Sequence, residues 1–156
     1  MSRRGKAQKR EIPADPRYNN YVVAKFTNKI MTSGRKRTAE NIIYTAFDLI
    51  EERTKKDPLQ VFEQAIKNAT PLIQVKPRRV AGATYQVPIE VKGERGLILA
   101  MRWLMNASRA RKEKSMAERL AAELSEAAQG QGATIKKREE LHKTAQANRA
   151  FVHFRW

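Results

Sequence analysis

The chain has 156 residues, a length that fits one domain with a modest core, and its 32 Lys and Arg against 16 Asp and Glu give a formal net charge of +16. This excess predicts a polyanionic partner, and nucleic acid is favoured over a membrane because no run approaches the roughly 20 apolar residues of a span. The absence of cysteine excludes disulfides, thiolate zinc sites and a cysteine nucleophile, and it fits a reducing cytoplasm.

A basic tail opens the sequence. Residues 1–17 lack the apolar core of a secretory signal, and Pro13 and Pro16 prevent regular helix there. We expect a flexible tail that gains order when its charges pair with phosphates, and a solubilising or targeting tail is the alternative. Residues 18–156 are predicted to form a single helical domain. The tail residues assigned to RNA are Arg3, Arg4, Lys6, Lys9 and Arg10.

Two helices are predicted after the tail. Asn19 or Asn20 can cap the first, and Lys25 and Lys29 lie opposite its apolar side, where we assign them to RNA. The second helix runs from about residue 35 to residue 53. It has the most continuous apolar stripe of the chain, so it is predicted to form the core.

A cluster of three cations, Arg35, Lys36 and Arg37, begins the second helix. The helix dipole and the unpaired amides already make this end positive, so the cations destabilise the free helix. A phosphate bound there would bring amides and basic side chains onto one anion, and we therefore assign the cluster to RNA. A solvated first turn, tolerated because salt screens the charges, is the alternative.

A third helix, over residues 57–70, leads into a β-hairpin at about residues 72–91. The second half of the hairpin alternates apolar and polar side chains, and the link 81–83 contains a glycine that can take the positive φ of a tight reversal. Two strands alone are marginally stable in water, so the base should pack on helices while the tip projects toward phosphate. The basic residues near the tip, which we assign to RNA, are Lys76, Arg78 and Arg79.

The fourth helix carries Arg95, Arg102 and Arg109 at every seventh position. Seven residues are nearly two helical turns, so these arginines form one stripe with Asn106. The stripe contains no negative charge, which favours contact with RNA over a solvated face. Trp103 of the same helix could stack on a base, although a core position is favoured for it.

The last third of the chain is again basic. Residues 107–114 form a link, and Ser115 with Glu118 makes a capping box for a fifth helix. A sixth, peripheral helix is predicted over about residues 134–150. The aromatic and basic end, residues 151–156, could stack on bases, dock onto a neighbouring protein or pack back on its own domain. The residues of the connecting segments assigned to RNA are Lys92, Arg111 and Lys114.

The sequence offers no candidate active site. Its two histidines, His142 and His153, lie in no His-Glu-x-x-His arrangement and have no carboxylates at metal spacing. Glu139 precedes His142 by three residues, which is the spacing of an ordinary pair on a helix surface. Phosphate-binding loops and Gly-x-Ser-x-Gly motifs are also absent from the sequence. We therefore expect no enzyme, no cofactor, no metal and no small-molecule substrate.

Four stretches in one register resemble a known family: the opening 2–4, Asn28–Phe47 (NKIMTSGRKRTAENIIYTAF), Pro71–Pro88 and Arg95–Leu104. In these stretches and over its whole length, the chain resembles the seventh protein of the small ribosomal subunit, bacterial type. One departure is Gly34-Arg35-Lys36, where many relatives have Gly-Lys. Positive charge is retained there, but an arginine offers a bidentate contact where a lysine offers a point charge.

The predicted elements give a mainly α fold, a single domain of about six helices with one projecting two-stranded β-hairpin between helices three and four. The resemblance implies the same fold in a cytoplasmic, structural constituent of the small ribosomal subunit. It implies primary binding to the 3′ major (head) domain of small-subunit rRNA, nucleation of head assembly, and contact with tRNA and mRNA near the exit site.

The resemblance also implies partners and a second set of residues. The implied neighbours are small-subunit ribosomal proteins nine and eleven, and some relatives repress translation of their own messenger. The residues that would face tRNA and mRNA are Arg78, Arg79, Gly82, Thr84, Lys143, Arg149, Arg155 and Trp156.

Two other functions stay open on the residues alone. A DNA-bending architectural protein would insert its basic β-arm into the minor groove, and it predicts similar affinity for duplex DNA and a symmetric dimer. A nuclease or RNA-modifying enzyme would use His142 and predicts dependence on a metal or cofactor. The sequence offers no set of ligands for a metal or for a cofactor. Structural RNA binding, by contrast, predicts binding without turnover.

Overall fold

The structure is a computed structural model that describes Gly5 and residues 11–154. These residues contain six α-helices and one β-hairpin. The hairpin lies between the third and fourth helices, which confirms the predicted mainly α fold. A 3₁₀ helix, Arg149–Phe154, replaces the end of the predicted sixth helix. In chain order the other elements are α1 (Tyr21–Ile30), α2 (Lys36–Thr54), α3 (Pro58–Ala69), β1 (Ile73–Val80), β2 (Ala83–Glu90), α4 (Gly93–Ala110), α5 (Met116–Ala128) and α6 (Ala133–Ala147).

Some of the residues assigned to RNA, tRNA and mRNA lie outside the described residues. They fall in the first ten positions and at the last two, outside the part of the chain that the structure describes. They are Arg3, Arg4, Lys6, Lys9, Arg10, Arg155 and Trp156.

Helix α5 is the centre of the core and contacts α2, α3 and α4. Its buried face combines leucines with alanines, which let the neighbouring helices approach closely. Beside it, the buried rings of Phe26, Phe47 and Phe62 join α1, α2 and α3, with centroids 5.4 and 5.5 Å apart. Burial of each such ring contributes roughly 1.5–3 kcal/mol, so this cluster fixes the first three helices against one another.

The helix starts follow the predicted capping signals. The Asn20 side chain accepts from the first-turn amides of α1, and the Asp57 carboxylate accepts from Leu59 N. Ser115 and Glu118 make both hydrogen bonds of a capping box at the start of α5. Helix α2 differs, because Arg35 occupies its N-cap and supplies no side-chain cap. The start of α2 therefore has no capping side chain and carries positive side chains instead.

The hairpin is antiparallel and closes through a two-residue loop, Ala81 and Gly82. Both residues have positive φ, 47° and 88°, as in the type I′ turn that matches the twist of paired strands. The prediction for Gly82 is confirmed, and Ala81 shares the conformation. An alanine in this region costs about 1 kcal/mol, so the turn is held by strand pairing rather than by its own preference.

Helix α6 covers the base of the hairpin and is less peripheral than its sparse apolar pattern indicates. The Leu72 amide donates to His142 Nε2 at 3.2 Å, and Ile135 and Ala145 are buried beneath the helix. From α4, Arg95 Nε donates to Gln74 Oε1 at 3.2 Å. The two strands are thus held at their base by two helices, as their marginal stability requires.

The C-terminal 3₁₀ helix packs back on the hairpin. Phe151 and Phe154 place their ring centroids 5.0 and 5.3 Å from that of Tyr85 on β2. The sequence left three roles open for this end of the chain: stacking on bases, docking on a neighbouring protein, or packing on its own domain. Phe151 and Phe154 pack on their own domain. The same helix keeps Arg149 exposed beside the hairpin arm.

The segment before α1 is packed against α2 from Asp15 onward, two residues before the predicted end of the tail. The buried Asp15 carboxylate accepts from the amides of Arg17 and Tyr18 and from the Tyr44 hydroxyl at 2.8 Å. Burial and the bond to Asp15 raise the pKa of Tyr44 to about 12. Arg17 also pairs with Asp48 of α2 at 2.6 Å. These contacts anchor the chain where the basic tail meets the domain.

Candidate nucleic-acid interface

The cationic start of α2 is exposed and largely unpaired. Lys36 Nζ lies 3.6 Å from Glu40 Oε1, whereas Arg35 and Arg37 form no ion pair with any described residue. The first turn of the helix holds no acidic residue. Unneutralised cations at a positive helix end are unfavourable in the free protein, so an anion bound there would relieve the repulsion.

The arginine stripe, Arg95, Arg102 and Arg109, lies exposed along α4 as the spacing predicts. Arg95 is steadied by its bond to the hairpin base, and Arg109 donates to the Ile30 carbonyl of α1 at 3.4 Å. Arg102, between them, forms no ion pair within the described part of the chain. The stripe therefore presents three guanidinium groups, the outer two held in place.

The stripe and the cationic start of α2 meet at the end of α1. The Ile30 carbonyl accepts a hydrogen bond from Arg109. Ile30 and Arg35 also line the same small cleft, which has a volume of about 100 Å³. Arg109 and Arg35, which are far apart in sequence, thus both lie at the end of α1. The hydrophobic periods of α1, α2 and α4 predicted each helix, but they did not predict that the basic faces adjoin.

Arg111 behaves differently from the stripe. It forms ion pairs with Glu113, Glu123 and Glu126, with Nε 2.9 Å from Glu123 Oε2. Hydrogen bonds to Glu126 and Glu123 raise the pKa of Arg111 well above its usual value. Its charge is already neutralised inside the protein, so a role in joining α4 to α5 explains this residue without RNA.

Lys25 is also engaged within the protein. Its Nζ lies 3.2 Å from Glu94 Oε1 and 4.6 Å from the centroid of the Tyr21 ring, and its side chain is 17% exposed. A hydrogen bond to Tyr21 and then the Glu94 pair raise its pKa. Lys29, one turn further on α1, is exposed and directly precedes Ile30, whose carbonyl Arg109 contacts.

The hairpin arm carries the remaining predicted residues. Register places Arg79 opposite Thr84 and Arg78 opposite Tyr85, and all the basic residues of the arm are exposed, as is Gly82 at its tip. Because the 3₁₀ helix packs on β2, Arg149 is brought to the same arm. The exposed residues assigned to RNA or tRNA outside these surfaces are Lys92, Lys114 and Lys143.

His142 has a structural use rather than a catalytic one. Its Nε2 accepts from the Leu72 amide, which requires the neutral ring. Burial and the nearby Arg138 charge lower its pKa. The described residues contain no group of three or more His, Cys, Asp or Glu placed to hold a metal ion. Among the same residues, no helix has both the length and the apolar character to cross a bilayer.

A sequence family described as Ribosomal protein S7p/S5e matches residues 2–149 of this chain. The chain belongs to this family. It is 57% identical to the small ribosomal subunit protein uS7 of Dehalococcoides mccartyi over 156 residues, all of both chains. It is 56% identical to the proteins of that name from Nitrobacter winogradskyi and Sorangium cellulosum, again over full length.

Membership of the S7p/S5e family confirms the resemblance seen in the four sequence stretches. It also confirms that the chain is not an enzyme, because the family consists of ribosomal proteins. The chain is therefore a ribosomal, RNA-binding protein of translation.

Proposed function

We propose that this chain is a structural constituent of the small ribosomal subunit that binds ribosomal RNA with the surface joined at Ile30. The observation that carries the proposal is the shared border of Arg109 and Arg35 at that residue. In this proposal α1, α2 and α4 together form one anion-binding face. The names of its full-length relatives support the ribosomal setting.

The mechanism is neutralisation of phosphates by a preformed surface. Each phosphate contact releases condensed counterions, so affinity falls with salt by a slope of roughly 0.7–0.9 per contact. Arg102, Arg35 and Arg37 are free of carboxylate partners among the described residues, so they need not break an ion pair before they bind. Binding the RNA then leaves the packed core of the protein unchanged.

The finer function follows the family resemblance. The RNA is the 3′ major (head) domain, the protein binds it early and nucleates assembly of the head, and this happens in the cytoplasm. The hairpin arm and the C-terminal end face tRNA and mRNA near the exit site. The neighbouring proteins are the ninth and eleventh of the small subunit, and binding to its own messenger would repress translation.

A titration in a salt series tests this function. The ligands are the isolated head-domain fragment of small-subunit rRNA, an unrelated RNA of equal length and duplex DNA. We expect the head fragment to bind tighter by orders of magnitude and to keep its lead as salt rises, because shape recognition is less screened than charge. Equal affinities that weaken together would contradict it and favour the DNA-bending alternative.

A further inference from the structure

We propose that a cleft between α4 and α6, beside Trp103, binds one unpaired nucleobase of an RNA strand that lies on the arginine stripe. The inference rests on the proposed RNA-binding function and adds a base-binding site to its phosphate contacts. The cleft has a volume of about 280 Å³. Its walls are Trp103, Asn106 and Ala107 of α4 and Ala133, Thr134 and Lys137 of α6.

The position of the cleft fits a base whose backbone lies on the stripe. Asn106 follows Arg102 by four residues and precedes Arg109 by three, so its side chain adjoins both on the helix surface. It also follows Trp103 by three residues and lines the cleft. A nucleotide whose phosphate sits on Arg102 or Arg109 therefore has Asn106 and the indole within reach of its base.

The lining supplies the chemistry that a nucleobase requires. The half-buried indole offers an aromatic surface, and stacking on such surfaces tolerates every base. The Asn106 amide can both donate to and accept from a base edge. Ala107 and Ala133 are small, and this leaves the space between the helices open.

The charge beside the cleft is complementary to the strand. Lys137 lines the cleft and pairs with Glu140 at 3.1 Å, with both side chains more than half exposed. An exposed pair of this kind is weak and exchanges readily for a phosphate. The combination of an aromatic wall, an amide and flanking cations favours a base of single-stranded RNA over an apolar protein side chain.

The test uses the full chain and the head-domain rRNA fragment. Trp103→Leu keeps an apolar side chain and the net charge but removes the stacking surface, so affinity should fall about tenfold with an unchanged salt slope. Trp103→Phe should restore most of it. Ala133→Leu fills the cleft while the indole stays in place, and it should weaken binding similarly. Ala147→Leu, at an exposed position near the other end of α6, is the matched control and should leave affinity unchanged.

Tryptophan fluorescence gives a second readout, in which Trp103 itself is not replaced. The chain has two tryptophans, so Trp156→Phe leaves Trp103 as the only indole. Saturating RNA should quench its emission, and Ala133→Leu should abolish that quenching. RNA that binds with unchanged Trp103 emission, or equal affinity of Trp103→Leu, overturns the base site and leaves the proposed function standing. If the unmodified chain binds no head-domain RNA, the proposed function fails, and this inference fails with it.

Discussion

Arg111 binds the buried carboxylate of Glu123, with Nε 2.9 Å from Oε2 and only 1% of the glutamate side chain exposed. The other oxygen, Oε1, accepts from the Thr134 amide and hydroxyl at 3.0 and 2.6 Å. One carboxylate thereby ties the link after α4 to α5 and to the start of α6. A buried ion with this role is costly when its partner is removed.

The first prediction concerns that pair. Arg111→Ala leaves Glu123 buried and unpaired, so we expect the free energy of unfolding to fall by about 3 kcal/mol in urea denaturation. Lys112→Ala removes an exposed charge from the same link and should change it by less than about 0.5 kcal/mol. Adding Glu123→Gln to Arg111→Ala should recover part of the loss. Equal stability of the two single variants would refute the structural role of Arg111.

The second prediction concerns the cationic start of α2. Replacing Arg35, Lys36 and Arg37 with Ala should weaken RNA binding and lower the salt slope by about one for each lost phosphate contact. Thermal stability should stay equal or rise slightly, because these cations oppose the helix dipole. A large loss of stability would show that the cluster is structural.

A matched control for that variant lies at the opposite end of the same helix. Arg53, Lys55 and Lys56 are exposed and carry the same total charge, but they lie beside acidic residues, including Glu51, Glu52 and Asp57. Their replacement with Ala should leave the affinity for head-domain RNA nearly unchanged. If both triple variants weaken binding equally, net charge rather than position governs the interaction.

The contrast between Arg111 and the α2 cluster shows what the sequence can predict. Helix starts are local, so the caps at Asn20, Asp57 and Ser115 could be read from neighbouring residues. The Arg111–Glu123 pair joins residues twelve apart across a helix boundary, and composition alone makes that arginine look like the others. Long-range packing decides which cations stay free, and no periodic pattern encodes it.

The hairpin gives the same lesson at longer range. The alternation in its second half predicted the second strand, and the glycine predicted the turn. The Leu72–His142 hydrogen bond spans seventy residues, and the contact of Tyr85 with Phe151 joins the arm to the far end of the chain. Neither has a local signal, so α6 was expected to be peripheral and the C-terminal end was left with three roles.

The third prediction follows from the lowered pKa of His142. In the unfolded chain the ring takes up a proton near its ordinary pKa of 6.5, whereas the folded state resists protonation until lower pH. The Leu72–His142 bond therefore contributes fully to the free energy of unfolding above the ordinary pKa of 6.5, and this contribution is lost as the pH falls below that value.

Urea denaturation from pH 7.5 to pH 5 measures this effect. The wild-type chain should lose stability on acidification by somewhat more than His142→Gln, an excess below about 1 kcal/mol because the ring is only half-buried. His153→Gln changes the other, exposed histidine and should follow the wild-type profile. Parallel profiles for the wild type and His142→Gln would mean that the bond does not depend on the neutral ring.

The fourth prediction concerns the turn. Asparagine tolerates positive φ better than alanine, so Ala81→Asn should stabilise the hairpin by roughly 0.5 kcal/mol. Amide exchange in β1 and β2 should slow about twofold, since it reports local opening. Ala83→Asn, in the first position of β2, should not slow it, because asparagine is disfavoured in strands. Faster exchange in Ala81→Asn would contradict the type I′ geometry.

The fifth prediction separates the tip of the arm from its base. Replacing residues 79–84 with Asn-Gly keeps Arg78 opposite Tyr85, so each strand retains its buried face and the contact with Phe151. Removing one residue more would shift the register and turn every side chain of one strand to the other face. The shortened arm should leave thermal unfolding unchanged, and it should lower the affinity for head-domain RNA by no more than the loss of the one cation Arg79 accounts for. In reconstituted subunits it should speed dissociation of exit-site tRNA, and an unchanged rate would show that the tip does not hold the tRNA.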